Sequence, residues 1–205
     1  MKTHRHGCRF TAAHIVAGLL LAALTLLAPA IQAAGTLTFI PGELQRQVYT
    51  NVPGLQIADL LNSPKFPDHP DLVEVVNAFE TPTDSGDLYG ERLTGFLVPP
   101  VTGDYVFYVA SDDQGALFLS PDTNPANKVL IAFEAGWNFP RNWAGMGANG
   151  TNSTSISSPV HLEGGQKYYV EALHKEAMGG DNFGVAWQLP GELPPAPGSP
   201  PISPT

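Results

Sequence analysis

Five short apolar segments, separated by turn-forming residues, constrain the fold of this chain most strongly. They are Tyr105–Ala110, Ala116–Leu119, Val129–Phe133, Lys167–His174 and Asn182–Leu189. Breaks rich in Gly, Asp, Asn or Pro lie between them, such as SDDQG and MGGDN. Many short strands at this spacing are typical of an antiparallel sandwich or barrel. The sequence therefore predicts an all-β domain.

Periodicity predicts how two of these strands are buried. Tyr105–Ala110 is apolar or aromatic at every position, which predicts a strand that is covered on both faces. In Asn182–Leu189 the large apolar residues alternate with small or polar ones, which predicts a strand with one core face.

Helical patterns are confined to the N-terminal part of the domain. Gln56–Asn62 fits about two helical turns. Asp71–Phe79 places apolar residues at helical spacing, but the same residues fit an irregular strand, and both interpretations stay open. We therefore expect one or two short helices beside the strands.

The first 33 residues have the pattern of a secretory signal peptide. Lys2, Arg5 and Arg9 precede an apolar run, Ile15–Leu27, and small residues follow it. The run is shorter than the roughly 20 residues of a membrane-spanning helix. We expect cleavage between Ala30 and Ala34, export to the extracellular space or the cell envelope, and no transmembrane span in the mature chain.

Charge and cysteine usage narrow the function classes. After removal of residues 1–33, 7 Lys and Arg face 19 Asp and Glu, so the basic surface of a nucleic-acid binder is missing. The single cysteine, Cys8, leaves with the signal, so the mature chain has no disulfide and no thiolate site. No nucleophile-elbow, zinc-protease or phosphate-loop motif is present, and we expect no enzymatic activity.

Residues 191–205 are rich in proline and lack apolar periodicity. This composition predicts a disordered tail or an extended linker. The predicted organisation is thus a signal peptide at 1–33, one domain at 36–190 and a Pro-rich tail.

Two stretches resemble a known family. Residues 89–113 read YGERLTGFLVPPVTGDYVFYVASDD, and residues 162–187 read LEGGQKYYVEALHKEAMGGDNFGVAW. Their ordered combination resembles the PA14 domain family over about residues 38–190. The resemblance implies a two-sheet antiparallel β-sandwich in a secreted or surface protein, and it implies carbohydrate binding, as in several members of the family.

The adjacent pair Asp112 and Asp113 is the main candidate site. In the adhesin-type members of the family that this chain resembles, such a pair is joined by a cis peptide bond and holds a calcium ion that contacts sugar hydroxyls. Calcium prefers several hard oxygen ligands, which carboxylates supply. An Asp pair before a glycine also fits an ordinary strand-ending turn whose carboxylates cap backbone N–H groups. Both interpretations stay open.

The loop MGGDN offers further oxygen ligands. Asp181 and Asn182 are candidate ligand-binding residues, and the resemblance makes Asn182 and Gly184 candidate metal ligands beside the Asp pair. A Gly-Gly hairpin with Asp and Asn in turn positions is the alternative.

Aromatic and histidine residues complete the candidates. Trp137 and Trp143 lie in the segment AGWNFPRNWAG, where exposed rings would suit sugar stacking and buried ones would close the end of the sandwich. His174 ends a predicted strand, where an edge or surface position is expected.

Three functions remain open from the sequence. The first is an exported module that binds glycans, with or without Ca²⁺. The second is a structural or protein-interaction module. The third is an accessory fragment of a larger secreted enzyme that acts on glycosides.

Overall fold

A computed structural model describes residues 42–144, 146–147, 150–151 and 153–203; the predicted signal peptide lies outside them. Their secondary structure is β1 (Leu44–Thr50), α1 (Ile57–Leu61), β2 (Leu72–Val76), β3 (Tyr89–Leu97), β4 (Gly103–Asp112), β5 (Gly115–Leu119), β6 (Val129–Glu134), β7 (Met146–Gly147), β8 (Gly150–Thr151), β9 (Val160–Leu162), β10 (Tyr168–Glu176) and β11 (Asn182–Gln188). Short 3-10 helices cover Pro125–Asn127 and Ser153–Ser155.

The strands form an antiparallel β-sandwich, which confirms the predicted fold class. Six strands make one sheet in the order β2-β1-β3-β10-β5-β6. Three strands make the facing sheet in the order β11-β4-β9, and β7 and β8 pair separately. All five segments predicted as strands are strands in the structure.

The N-terminal segments separate into one helix and one strand. α1 occupies the predicted helical turns. The ambiguous segment from Asp71 forms β2 at the edge of the large sheet, where its five residues pair with β1. The sequence of this segment fits both a helix and a strand, and pairing with β1 selects the strand.

The main core lies between the inner faces of the two sheets. Leu93, Leu117 and Val170 of the large sheet pack against Phe107 and Val185 of the small sheet. β10 runs through the middle of the large sheet, between β3 and β5, and all nine of its residues are buried. Burial of this apolar surface is the main favourable term in the folding of such a domain.

Both outer faces are also covered. α1 places Ile57 and Leu60 on the large sheet, beside Tyr49 and Leu173. On the small sheet, Trp143 packs with other buried residues of β4 and β11. The covered outer face of β4 confirms that this strand is buried on both sides.

The C-terminal segment differs from the predicted disordered tail. The main chain of Ile202 donates to the Val185 carbonyl at 2.9 Å and accepts from the Phe79 N–H at 2.8 Å. The Ser199 carbonyl accepts from Trp143 Nε1 at 3.0 Å. Proline-rich sequence lacks periodicity, but it still supplies carbonyl acceptors and an apolar anchor, so this segment covers the free edge of β11.

One end of the sandwich collects the ends of several strands. β4 and β10 finish there, at Asp112 and Glu176, and β11 begins there, at Asn182. None of the described helices is long and apolar enough to span a membrane.

Candidate functional site

Strand pairing brings the Asp pair and the MGGDN loop together. Asp112 is the register partner of Asn182, at the end of the β4–β11 ladder. The peptide bond between Asp112 and Asp113 is cis, the form that the family resemblance implies. Gly115 allows β5 to start against this corner, because a Cβ there would lie 2.6 Å from the Cβ of Ser111.

The Asn182 side chain, opposite Asp112, has one paired polar atom and one unpaired polar atom. Its Nδ2 donates to the Asn138 carbonyl at 2.9 Å. Its Oδ1 is buried and has no hydrogen-bond partner among the described residues. A buried amide oxygen without a partner is costly, and such an atom calls for an explanation such as an ion or water.

Asp181 joins two loops at the same end. Its Oδ2 accepts from the N–H groups of Ser85 and Gly86 at 2.6 and 3.0 Å. Its carbonyl accepts from the Asp84 N–H at 3.0 Å. The side chain is buried and also interacts with the Tyr89 hydroxyl. Asp181 therefore fixes the loop through its hydrogen bonds.

Glu176 is a site residue that the sequence reasoning missed. It is 0 % exposed, and both carboxylate oxygens lack hydrogen-bond partners among the residues described. Asp113 is adjacent, since its Oδ2 accepts from the Ala177 N–H at 3.1 Å. Burial, and next the charges of Asp113 and Asp112, raise the pKa of Glu176 to about 7. The sequence contains a signal for this residue, because Glu176 continues the alternation of core-facing positions along β10.

Asp112 shares this electrostatic environment. Burial, and next the charge of Asp113, raise its pKa to about 6, and Asp181 and Asp84 add to the effect. The neighbouring His174 opposes it. Carboxylates that cannot all ionise together at low cost are typical of a site that gains a proton or a cation.

His174 is not at an edge or on the surface, as its position in the sequence had indicated. It is 0 % exposed, on the inner face of the central strand β10. The prediction was wrong because the order of the strands in the sheet, which decides whether a strand is central, is not visible in the local sequence.

The two candidate tryptophans differ. Trp143 is 1 % exposed and donates to a tail carbonyl, so its predicted stacking role is wrong, because it covers the small sheet. Trp137 is half-buried and contacts Phe139 edge-to-face at 5.5 Å between ring centroids. Phe139, which sequence reasoning missed, is 61 % exposed. Asn138, between them, contacts Asn182, so the aromatic pair adjoins the acidic site.

Gly184 lies on the same strand as Asn182, two residues further along. It is inside β11, paired with Ala110 on one side and bridged to Glu80 on the other. A Cβ at this position would lie 3.2 Å from the Trp143 ring, which explains the glycine by packing. The role of Gly184 as a metal ligand therefore stays a prediction from the family resemblance.

The atoms available at this end suit a hard cation. They are carboxylate and amide oxygens, and calcium takes six to eight oxygen ligands with flexible geometry. Within the described residues, no group of three or more His, Cys, Asp or Glu side chains could hold a metal ion by itself. The fitting set is therefore the Asp pair with the Asn182 oxygen, completed by main-chain or non-protein oxygens.

Together, the sandwich and its oxygen-lined end define a β-sandwich module with a candidate binding site between loops. The PA14 domain profile matches residues 52–199. The chain belongs to the PA14 domain family.

Two curated relatives are much longer proteins. N-acetyl-beta-glucosaminyl-glycoprotein 4-beta-N-acetylgalactosaminyltransferase 1 of Mus musculus is 39% identical over 106 residues, which are 50% of this chain and 10% of that protein. Fibrocystin-L of Mus musculus is 36% identical over 90 residues, which are 44% of this chain and 2% of that protein. The chain thus spans a tenth or less of the length of these relatives.

Solved structures share the fold. An anti-sigma factor domain-containing protein from Clostridium clariflavum has a TM-score of 0.50 and 16% identity, covering 83% of this chain and 50% of that one. The A domain of epithelial adhesin 6 from Candida glabrata, in complex with Galb1-3GlcNAc, has a TM-score of 0.49 and 14% identity, covering 78% and 85%. At these identities the likeness concerns the fold alone.

Proposed function

We propose that this PA14 domain is an exported binding module that recognises a glycan through a calcium ion. Asp112, Asp113 and Asn182 would hold the ion at the end of the sandwich. The observation that carries the proposal is the set of buried side-chain oxygens at this end, on Asn182 and Glu176, that have no hydrogen-bond partner among the described residues. A family of binding modules and the predicted signal peptide at 1–33 support it.

The electrostatics favour a cation. Asp112 and Glu176 have raised pKa values because they are buried beside other carboxylates. A divalent cation would offset this repulsion, as protons otherwise do. Outside the cytoplasm, sites of about 10⁻⁴–10⁻³ M affinity are sufficient for calcium modules. A calcium site of this modest affinity would therefore be occupied outside the cytoplasm.

The incomplete protein shell favours a hydroxylated ligand. Two carboxylates and one amide leave calcium positions open, and sugar hydroxyls are suitable oxygen ligands. The pair Trp137 and Phe139 supplies an exposed aromatic surface beside the site. Such surfaces suit the apolar face of a sugar ring. In this arrangement the ion binds hydroxyls and the aromatic pair sets the ring orientation.

Calcium binding is tested by isothermal titration of the purified protein. The wild-type protein is expected to bind Ca²⁺, and the double variant Asp112→Asn/Asp113→Asn to bind none. Asp122→Asn is the control, because Asp122 caps a separate loop through Ser120, Asn124 and Asn127. A wild-type protein that gives no heat and no rise in Tm with Ca²⁺ would refute the calcium role and favour a structural module.

Glycan recognition is tested on a glycan array with Ca²⁺ and with a chelator. Signals that the chelator abolishes are expected for the wild type. Phe139→Ala should weaken them at least several-fold while calcium affinity is kept. Leu130→Ala, which removes another exposed apolar side chain from the far edge strand β6, is the control. Chelator-resistant binding, or equal effects of the two variants, would contradict this mode of recognition.

A further inference from the structure

His174 forms a hydrogen bond to the main chain of the candidate site. Its Nε2 lies 2.7 Å from the Asp112 carbonyl oxygen, the carbonyl of the Asp112–Asp113 peptide bond. Its Nδ1 lies 2.7 Å from Glu91 Oε1. Both residues of this His–Glu pair are completely buried. The imidazole thus links the inner face of the large sheet to the end of β4.

The partners determine which ring nitrogens carry protons. A carbonyl only accepts, so Nε2 donates to Asp112. Glu91 already accepts from Arg46 Nε through its other oxygen, at 2.5 Å, as an ionised carboxylate does. Nδ1 therefore donates to Glu91 as well. The ring is a double donor held between a carboxylate and a carbonyl.

A chain of charges continues across the large sheet. Arg46 Nη1 contacts Glu74 on the edge strand β2, also at 2.5 Å. The series Glu74, Arg46, Glu91 and His174 therefore crosses β2, β1, β3 and β10 and ends on Asp112 of the facing sheet. Opposite charges alternate along it, so each group fixes the next one.

Aromatic neighbours fix the plane of the imidazole. Tyr89 contacts it edge-on at 5.7 Å, and Phe183 packs against it at 5.8 Å between ring centroids. The ring has no room to turn away from Asp112 without disturbing both contacts.

We propose that His174, oriented by Glu91, is a positioning residue for the cation site. It holds the Asp112 carbonyl and thereby the direction of the Asp112 and Asp113 carboxylates. This inference rests on the proposed function, because the site it serves is the proposed calcium site. Some groups orient metal ligands through hydrogen bonds without contacting the metal. Their removal typically lowers metal affinity by about 10–100-fold.

Two substitutions separate the two hydrogen bonds. In His174→Gln the amide nitrogen falls near the position of Nε2 and keeps a donor for Asp112. In His174→Asn the amide nitrogen falls near Nδ1 and keeps only the donor for Glu91. Both variants lose the ring and its aromatic contacts, so both should lower Tm. Only His174→Asn should weaken the binding of Ca²⁺, or of luminescent Tb³⁺, by about ten-fold or more. His174→Gln should stay within about three-fold of wild type.

Measurements on the calcium-free protein test the contact between His174 and the Asp112 carbonyl independently of calcium binding. In ¹⁵N NMR spectra of the wild-type protein, both His174 nitrogens should carry protons. The ¹³C shift of the Asp112 carbonyl should change in His174→Asn and be kept in His174→Gln.

The outcomes are distinguishable. Equal losses of affinity in both variants, or none in either, would overturn the positioning role while the calcium proposal stands. A wild-type protein without affinity for either ion would refute the proposed function and the cation role together, and the Asp112 ¹³C shift would still decide whether His174 holds that carbonyl. If neither variant folds, an unprotonated Nε2 in the wild type overturns the inference and a protonated one supports it.

Discussion

Removing the charge of Glu176 should stabilise the calcium-free domain. A fully buried glutamate without hydrogen-bond partners among the described residues is ionised at pH 8 only at a cost. Its pKa, raised from 4.5 to about 7, measures that cost. At roughly 1.4 kcal/mol for each pKa unit, the charged form costs about 3 kcal/mol. Glu176→Gln keeps the shape without the charge.

The sign of the pH dependence follows from linkage. Because the folded-state pKa lies above the unfolded value, the folded protein binds more protons between pH 4.5 and about 7, and its stability falls as pH rises through this window. At pH 8 the variant should be about 1–3 kcal/mol more stable, since the buried amide retains some desolvation cost. For a domain of this size this corresponds to about 3–8 °C in Tm. At pH 5 the difference should shrink toward zero.

Thermal unfolding followed by circular dichroism, in metal-free buffers at pH 5 and pH 8, measures the effect. Glu171→Gln is the control, because Glu171 is also buried but accepts from Arg92 and Tyr169, both at 2.7 Å. It should lose about 1–3 kcal/mol at both pH values. A Glu176→Gln variant that is less stable than wild type at pH 8, or equally shifted at both pH values, would refute the reasoning.

Two further predictions concern the outer cover of the small sheet. Trp143→Ala should destabilise the protein by about 3–5 kcal/mol, measured by urea unfolding, because it opens a cavity beside Tyr108 and Ala110; a loss below 1 kcal/mol would contradict its buried position. A chain that ends at Pro190 should lose about 2–4 kcal/mol relative to one that ends at Ser203, because Ile202 and its two main-chain hydrogen bonds are removed. Equal Tm values for the two chains would show that residues 191–203 behave as the free linker that their composition predicts.

Much of the fold was predictable because strands are specified locally. Alternation and turn residues located β4, β5, β6, β10 and β11, and the ordered motifs indicated the sandwich. The segment at β2 was ambiguous, since its apolar spacing fits two structures and only pairing with β1 selects one.

The candidate site was predictable only in part. The pair Asp112–Asp113 and the neighbour Asn182 were visible as motifs, and the register of β4 with β11 places them together. Glu176 was passed over because it lies two residues beyond the predicted strand Lys167–His174, whereas the strand of the structure extends to Glu176. Trp143 was misread because polar and proline neighbours mask a residue that packs against a distant strand.

The sequence by itself determined the elements of this protein: short strands, a net negative charge and an adjacent Asp pair, since these depend on local pattern and composition. Tertiary structure alone decided which charges are buried and which are paired. His174 and Glu176 occupy alternate inner positions of one strand. The His174 side chain has Glu91 and Asp112 as partners, whereas the Glu176 side chain has no hydrogen-bond partner among the described residues. The difference arises because desolvation and hydrogen bonding depend on the groups that distant strands bring into contact.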